Sequence, residues 1–248
     1  MKTPARATAS QVRRALRQLA SPARAVGTAK FFKCGPGEYG EGDRFIGVTV
    51  PQQRIIAKQF RTLSLAQVDA LITSRIHEER LTAHLILVEQ FTRAADESIR
   101  SGIVRLYLKR LPFVNNWDLV DTSADPILGG WLLDKPRALL HRLARSQHLW
   151  SRRVAIIGTF RFIKHGESRD TLRIARQLLH DDHDLIHKAV GWMLREVGKR
   201  VAVADLRCFL SHHAHEMPRT MLRYAIEHLS ANERARWLEK KDRPGKRR

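Results

Sequence analysis

Apolar residues recur every three to four positions along most of the chain after Pro51, and no segment shows the sustained period of two that a half-buried β-strand requires. This pattern predicts helices throughout. Pro112 is expected to interrupt the chain between two of them. Residues that favour a helix N-terminus precede or open several of these segments: Ser10, Pro51, Ser64, Asp96, and Asn115 or Asn116. We therefore predict an all-α fold.

The predicted helices follow one another in pairs joined by short connections. They cover residues 11–19, 52–61, 65–76, 78–95, a helix from Asp96 to about 111, a helix that carries Trp117 and Asp121, and 136–146, 148–164, 168–179, 184–200, 204–210, 218–228 and 231–240. Segments 149–155 and 185–191 match weakly at an offset of 36 residues, with basic and small apolar residues in register. Stacked helix pairs of this length predict an α-α superhelix, or solenoid, of helical repeats with a concave face.

The net charge of the chain indicates the kind of partner that it binds. The chain has 248 residues, of which 43% are apolar, and its 45 Lys and Arg against 25 Asp and Glu give a net charge of +20. A basic concave face fits duplex DNA.

We predict a basic N-terminal segment with a short helix over residues 1–27, a repeat domain over 28–239 and a disordered basic tail over 240–248. A transit peptide is the alternative for the first segment.

The two cysteines and the apolar runs indicate the compartment. Cys34 and Cys208 stand far apart and in no zinc or CxxC spacing, and no apolar run approaches the roughly 20 residues that cross a bilayer. We expect a soluble monomer of the bacterial cytosol or nucleoid, with no membrane association, no obligate protein partner and no cofactor or metal.

Four residues share one register of the predicted repeats. Asp121 lies one helical turn after Trp117, Arg153 lies 36 residues after Trp117, and Trp192 lies 39 residues after Arg153. On equivalent helices they fit an arc of about 100°, whereas Leu119, Val154 and Val190 point elsewhere. The plainer alternative is that both tryptophans belong to the repeat core and that Asp121 is a solvated helix charge.

Cleavage of a glycosidic bond would give these four residues a common purpose. Its transition state is a sugar cation, which the Asp121 carboxylate would stabilise while orienting water. The indole faces of Trp117 and Trp192 would attract a positively charged alkylated purine by roughly 0.5 to 2 kcal/mol each. Such a base leaves as a neutral molecule and needs no strong general acid. Arg153 would hold the adjacent phosphate.

Three blocks of sequence resemble the DNA alkylation repair proteins of HEAT-like repeats, the AlkD type of alkylpurine DNA glycosylase. They are residues 117–121, 149–156 and 188–196, within a resemblance that spans roughly residues 28–235. It implies a catalytic cleft formed by Trp117, Asp121, Arg153 and Trp192, and action on duplex DNA that contains N3- or N7-alkylated purines. Residues 47–54 look like the family's segment that meets the DNA backbone. Arg54, Arg195 and Lys199 are further predicted DNA contacts.

Two departures from this pattern concern the predicted cleft. Residues 35–47 form a long glycine-rich insert, which is expected to alter access to the cleft. Phe31 is aromatic but lacks the hydroxyl group that the family's pattern leads us to expect at this position. The alternatives are a catalytically silent protein that binds DNA structures and a scaffold that binds an acidic protein partner.

Two other motifs have weaker support as sites. Residues 35–40 match GxGxxG, but no predicted strand precedes them and acidic residues follow. Histidines and aspartates cluster at 180–187, and histidines at 212–215. We interpret these aspartates as helix caps and these histidines as exposed turn residues, and not as metal ligands.

Overall fold

A computed structural model describes residues 7–242 of the chain. These residues are helical without a β-strand, and the β-type pairing among them is one isolated bridge between Arg44 and Ile76. The prediction of an all-α fold is confirmed. The chain divides into two compact units, residues 1–131 (unit 1) and 132–248 (unit 2).

Unit 1 is built around one long central helix, α5. Its helices are α1 Ala9–Gln18, α2 Pro22–Phe31, α3 Val50–Gln59, α4 Leu65–Ile72, α5 His77–Arg93, α6 Glu97–Lys109 and α7 Trp117–Asp121, with a 3-10 turn at Leu111–Phe113 and a π-helix at Ala124–Gly129. Helices α1, α3, α4, α6 and α7 all pack against α5. Every residue from His77 to Leu87 is buried. The polar residues in this run therefore need internal partners.

Unit 2 is arranged around α12 in the same way. Its helices are α8 Ala138–Leu143, α9 Leu149–Gly158, α10 Phe160–Lys164, α11 Arg169–Gln177, α12 Asp184–Arg200, α13 Val203–His213, α14 Arg219–Ala225 and α15 Ala231–Asp242. Helices α9, α10, α11, α13 and α14 pack against α12. At Gly191 a Cβ atom would lie 2.5 Å from the Met221 carbonyl oxygen, so α12 and α14 approach more closely than any larger residue allows.

Most of the predicted helix starts are confirmed, and one is wrong. Ser64, Asp96 and Asn116 precede α4, α6 and α7, and the Asp96 carboxylate accepts the Ser98 N–H at 2.7 Å. Helix α1, however, is capped by Thr8 and not by Ser10. The Gln11 side chain accepts the Thr8 N–H at 2.8 Å while Thr8 Oγ1 accepts the Gln11 N–H, a reciprocal capping box that fixes the start of α1.

Two helices differ from the prediction. Helix α2 was missed although Ser21 and Pro22 occupy its N-cap and first position, a combination that favours a helix start. The predicted helix 148–164 is interrupted at Thr159, where the Thr159 hydroxyl donates to the Ile156 carbonyl at 2.6 Å and α9 gives way to α10.

The predicted domain boundaries stay a prediction. Ala9, Val12 and Leu16 of α1 are buried, and α1 packs against α3, α4 and α5. At the other end α15 continues to Asp242, and residues 243–248 of the predicted tail lie outside the described residues. In residues 7–242 no helix is long and apolar enough to span a membrane.

Candidate active site

Helix α7 presents Trp117 and Asp121 on the same side. The Asn116 side-chain oxygen accepts the Trp117 N–H at 2.9 Å and fixes the start of the helix. Leu119 and Val120 are completely buried, whereas Trp117 and Asp121 are partly exposed. The core thus takes one side of α7 and leaves Trp117 and Asp121, one turn apart, to line the same cavity. Leu119 therefore points away from this face, as the helical wheel predicts.

This cavity lies within unit 1 and has a volume of about 930 Å³. It is bordered by α2, α3, α5 and α7, and Arg54 stands exposed at its edge on α3. Its walls are mainly apolar and aromatic, formed by Phe31, Phe32, Phe45, Val48, Val50, Leu81, Val88, Trp117 and Pro126. A volume of this size is typical of pockets for small molecules or for a base with part of its nucleotide.

Aromatic rings form a continuous series along one wall of the cavity. The Phe32 ring stacks on Trp117 with centroids 5.1 Å apart and on Phe45 at 5.4 Å. Phe31 meets Trp117 edge-on at 5.8 Å and is 66% exposed. These contacts fix the plane of the Trp117 indole, so that a flat cationic group can meet a ring whose orientation is already set.

A buried network of charges lies behind the aromatic wall. His77, at the start of α5, places Nε2 2.7 Å from Asp118 Oδ2 and Nδ1 2.9 Å from Asp43 Oδ2. Arg80 Nη2 donates to Asp43 Oδ1 and, at 2.8 Å, to Asn115 Oδ1. The His77 and Asp43 side chains are only 1% and 3% exposed. The network joins α5, α7 and the segment that contains Asp43.

The two carboxylates keep His77 protonated at neutral pH. Burial by itself lowers the pKa of His77, but Asp118, through its charge and hydrogen bond, and Asp43, through its hydrogen bond, outweigh burial and raise the pKa to about 9. Burial alone would likewise raise the pKa of Asp43, but the hydrogen bond from His77 and the charge of Arg80 lower it. Two cations thus face two anions, and the buried network is neutral as a whole.

The glycine-rich insert, residues 35–47, contributes to this site directly. Its last residues supply Asp43 to the charge network and Phe45 to the cavity wall. The Glu78 carboxylate accepts the backbone N–H groups of Ile46, Gly47 and Val48 at 2.8 to 3.3 Å and holds the end of the insert against α5. The sequence predicts only that the insert alters access to the cleft and does not predict this structural role. No local sequence pattern marks Asp43 or Phe45.

Gly47 cannot be replaced without disturbing this end of the insert. Its φ angle is +77°, and a Cβ atom would lie 2.2 Å from the Ser21 carbonyl oxygen. Both the left-handed backbone and the close approach of α2 require glycine. The resemblance of residues 47–54 to a segment that meets DNA thus begins at a residue whose identity the fold itself explains.

The other predicted site residues lie in unit 2. Arg153, on α9, is 5% exposed, and its Nη1 donates to the Leu185 carbonyl at 2.5 Å. Trp192, on α12, is partly exposed, with its ring centroid 5.9 Å from that of Phe160. Arg195 forms ion pairs with Glu196 and Glu227, and Lys199 is exposed. Helices α9 and α12 pack against each other. A shared site for all four register residues stays a prediction.

The two weaker motifs have structural explanations. In the GxGxxG match, the Gly35 N–H is accepted by Glu38 and the Gly37 N–H by Glu41, so these amides are already used by carboxylates. The aspartates lie at a helix N-terminus as predicted, with Asp184 in the first turn of α12 and Asp181 accepting the His183 N–H. The N-cap itself is His183, which accepts the Leu185 N–H, and not an aspartate. Within residues 7–242 no three His, Cys, Asp or Glu side chains are grouped so that they could hold a metal ion.

Comparisons with known proteins bear on this site. A family model described as "DNA alkylation repair enzyme" matches residues 12–229. A solved structure described as a predicted DNA alkylation repair enzyme from Enterococcus faecalis aligns with a TM-score of 0.69 and 17% identity, over 86% of this chain and 97% of that one. A comparison with curated proteins finds no match. At 17% identity the structural likeness shows a shared fold.

Proposed function

The chain belongs to the DNA alkylation repair enzyme family, and we propose that within this repair role it acts as a glycosylase that removes cationic N3- or N7-alkylated purines from duplex DNA. One observation carries the proposal: Trp117 and Asp121 line the same aromatic cavity of unit 1. That cavity combines the two features the reaction needs. Its aromatic walls can receive a flat cation, and its carboxylate can face a developing positive charge.

Asp121 is the proposed catalytic carboxylate. As the bond between C1′ of the deoxyribose and the purine nitrogen breaks, its electron pair goes to the base, and the positive charge of the alkylated ring is neutralised. The sugar becomes an oxocarbenium-like cation, which an adjacent carboxylate stabilises. Water then adds to C1′ and loses a proton, with Asp121 orienting that water. The products are a neutral free base and an abasic site.

Trp117 is the proposed platform for the damaged nucleotide. Its ring is already fixed by Phe32 and Phe31, so little side-chain freedom is lost when a substrate stacks on it. A cation over an indole face gains about 0.5 to 2 kcal/mol, and a neutral purine gains less. The cavity is therefore expected to favour alkylated, positively charged bases over undamaged ones.

Trp192 and Arg153 remain proposed site residues because they share the register of Trp117 and Asp121 in the sequence. Arg153 is proposed to contact the phosphate next to the lesion. Since its side chain is buried and bound to the Leu185 carbonyl, Arg153→Gln is expected to lower stability as well as activity. Arg54, exposed at the cavity edge, is proposed as a DNA backbone contact, with Arg195 and Lys199 as further contacts.

The test compares lesions that differ in charge. The protein is incubated with duplexes containing N7-methylguanine, N3-methyladenine or uracil, and free base is quantified by chromatography. We expect release of the two cationic purines and no release of the neutral uracil. Equal release of uracil would contradict selection by charge. Tight binding to every duplex without release of any base would favour the silent DNA-binding protein instead, and binding to none would favour the protein scaffold.

A further inference from the structure

A groove between α8 and α11 in unit 2 is lined mainly by arginine side chains. Its lining residues are His141, Arg145, Arg173, Arg176 and Gln177, and its volume is about 580 Å³. No carboxylate and no apolar side chain belongs to this lining. None of these residues is a proposed site residue, and the proposed site residues of unit 2 lie on α9 and α12.

The three arginines of this groove lack internal partners, whereas several other arginines of unit 2 are paired with carboxylates. Arg145, Arg173 and Arg176 are exposed, and within residues 7–242 none of their side chains forms an ion pair or a hydrogen bond. Other arginines of the unit pair with carboxylates: Arg137 with Glu167 and Asp170, Arg152 with Asp181, Arg200 with Glu196, and Arg207 with Glu233. The nearby Asp170 is already bound to Arg137 and His141.

The fold holds these arginines together. Thr171, Ile174 and Ala175 form the buried face of α11, which leaves Arg173 and Arg176 on the solvent side. They are three residues apart, so their Cβ atoms lie about 5 to 6 Å from each other on one helix face. Arg145 follows α8 on the other side of the groove. Three like charges that line one groove repel one another, and an external anion would relieve that repulsion.

We propose that this groove binds the phosphate backbone of a second DNA segment. Guanidinium groups form paired hydrogen bonds with phosphate oxygens. Duplex DNA carries about one charge per 1.7 Å of its axis, so three clustered arginines can engage neighbouring phosphates. A bound protein segment would gain affinity from apolar anchors in a pocket, and the groove lining offers none. This inference goes beyond the proposed glycosylase activity and does not require it.

The test measures whether one protein bridges two duplexes. Two undamaged 12-base-pair duplexes, one with a donor and one with an acceptor dye, are mixed with the full-length protein at low salt, and energy transfer is recorded. The test variant replaces Arg145, Arg173 and Arg176 with Gln. The control variant replaces Arg61, Arg93 and Arg105 with Gln. These control arginines are also exposed and line a groove in unit 1, and each has a local partner.

We expect energy transfer with the parent and the control variant, and its loss with the test variant. In the parent, bridging should weaken as salt rises, with the groove contributing up to about 2.7 to the log-log slope, because each of three phosphate contacts adds about 0.9. Equal loss in both variants would overturn the proposal, because net charge alone would then explain bridging. Absence of energy transfer with the parent would also overturn the proposal. So would binding of poly-glutamate to the parent when no bridging of duplexes is observed.

Measuring base release by the same variants distinguishes a failure of this inference from a failure of the proposed function. Release of N7-methylguanine by the test variant should match that of the parent, since none of its three arginines lines the cavity with Trp117 and Asp121. A parallel loss of release and bridging would contradict a second site. A parent that bridges duplexes through these arginines but releases no base would refute the glycosylase and leave the second site standing.

Discussion

At the scale of single residues, the site separates two kinds of carboxylate on one short helix. Both border the cavity, but Asp118 is buried and bound to His77, whereas Asp121, three residues later on α7, is partly exposed. Asp118 thus contributes to the buried charge network, and Asp121 is the more exposed of the two carboxylates. Their three-residue spacing puts them about 60° apart round the helix, so the difference between them comes from the contact of Asp118 with His77.

His77 gives this site a pH dependence that can be measured. A histidine whose pKa rises from 6.5 to about 9 on folding contributes stability that is fully present below pH 6.5 and is lost as the pH rises through 9. His77→Gln removes this titration. We expect the difference in unfolding free energy between parent and variant to shrink between pH 7 and 10, as measured by urea denaturation.

The control for this experiment is His165→Gln, which replaces an exposed histidine of unit 2. Its stability should follow the parent at every pH. Parallel curves for the parent and His77→Gln from pH 7 to 10 would contradict a protonated His77. Acid acts in the opposite sense on Asp43: its lowered pKa contributes stability above its unfolded pKa, and that stability is lost as the pH falls through the folded value.

At the scale of structural elements, the insert and α7 are both held by the start of α5. His77 joins Asp43 of the insert to Asp118 of α7, and Glu78, the next residue, holds the backbone N–H groups at the end of the insert. The cavity wall therefore combines three segments far apart in sequence. Buried charges thus join backbone hydrogen bonds in holding the glycine-rich segment in place.

Asp43→Ala is expected to release the insert. His77 keeps Asp118 and Arg80 keeps Asn115, but both lose a buried carboxylate partner, and breaking a buried ion pair costs about 3 to 5 kcal/mol in unfolding free energy. The Arg44 backbone, now bonded to Arg75 and His77, should become more accessible, so that trypsin cleaves after Arg44 faster than in the parent. Limited proteolysis with mass spectrometry would detect this cleavage.

Glu41→Ala serves as the matched control from the same insert. Glu41 is exposed, and its carboxylate accepts only the nearby Gly37 N–H at 2.9 Å. Trypsin should cleave this variant at the parent's rate. Unchanged cleavage after Arg44 in both variants would show that Asp43 does not hold the insert in place.

At the scale of the whole molecule, the sequence predicts local features better than long-range contacts. The caps Asp96 and Asn116 and the exposed face shared by Trp117 and Asp121 depend on neighbouring residues and agree with the structure. The contacts of His77 with Asp43 and Asp118 join residues 34 and 41 positions apart. No periodic pattern links such residues, because tertiary packing alone brings them together.

Arg153 illustrates the same limit for a site residue. Its position in the repeat register is readable from the sequence, but its burial and its bond to the Leu185 carbonyl depend on how α9 and α12 pack. Family membership, in turn, extends over residues 12–229 and concerns the chain as a whole. Membership in the family does not assign a role to any single side chain. The proposed reaction depends on Asp121 above all.

The most direct test of the central claim is the rate of N7-methylguanine release from duplex DNA by the parent and by Asp121→Asn, under single-turnover conditions. Asp182→Asn, which changes an exposed aspartate of unit 2, is the matched control. Loss of a group that stabilises transition-state charge typically lowers the rate about 10²- to 10³-fold. We predict a loss of this size in Asp121→Asn, with folding and DNA affinity retained, and none in Asp182→Asn. Equal release by all three proteins would contradict the assignment of Asp121 as the catalytic carboxylate.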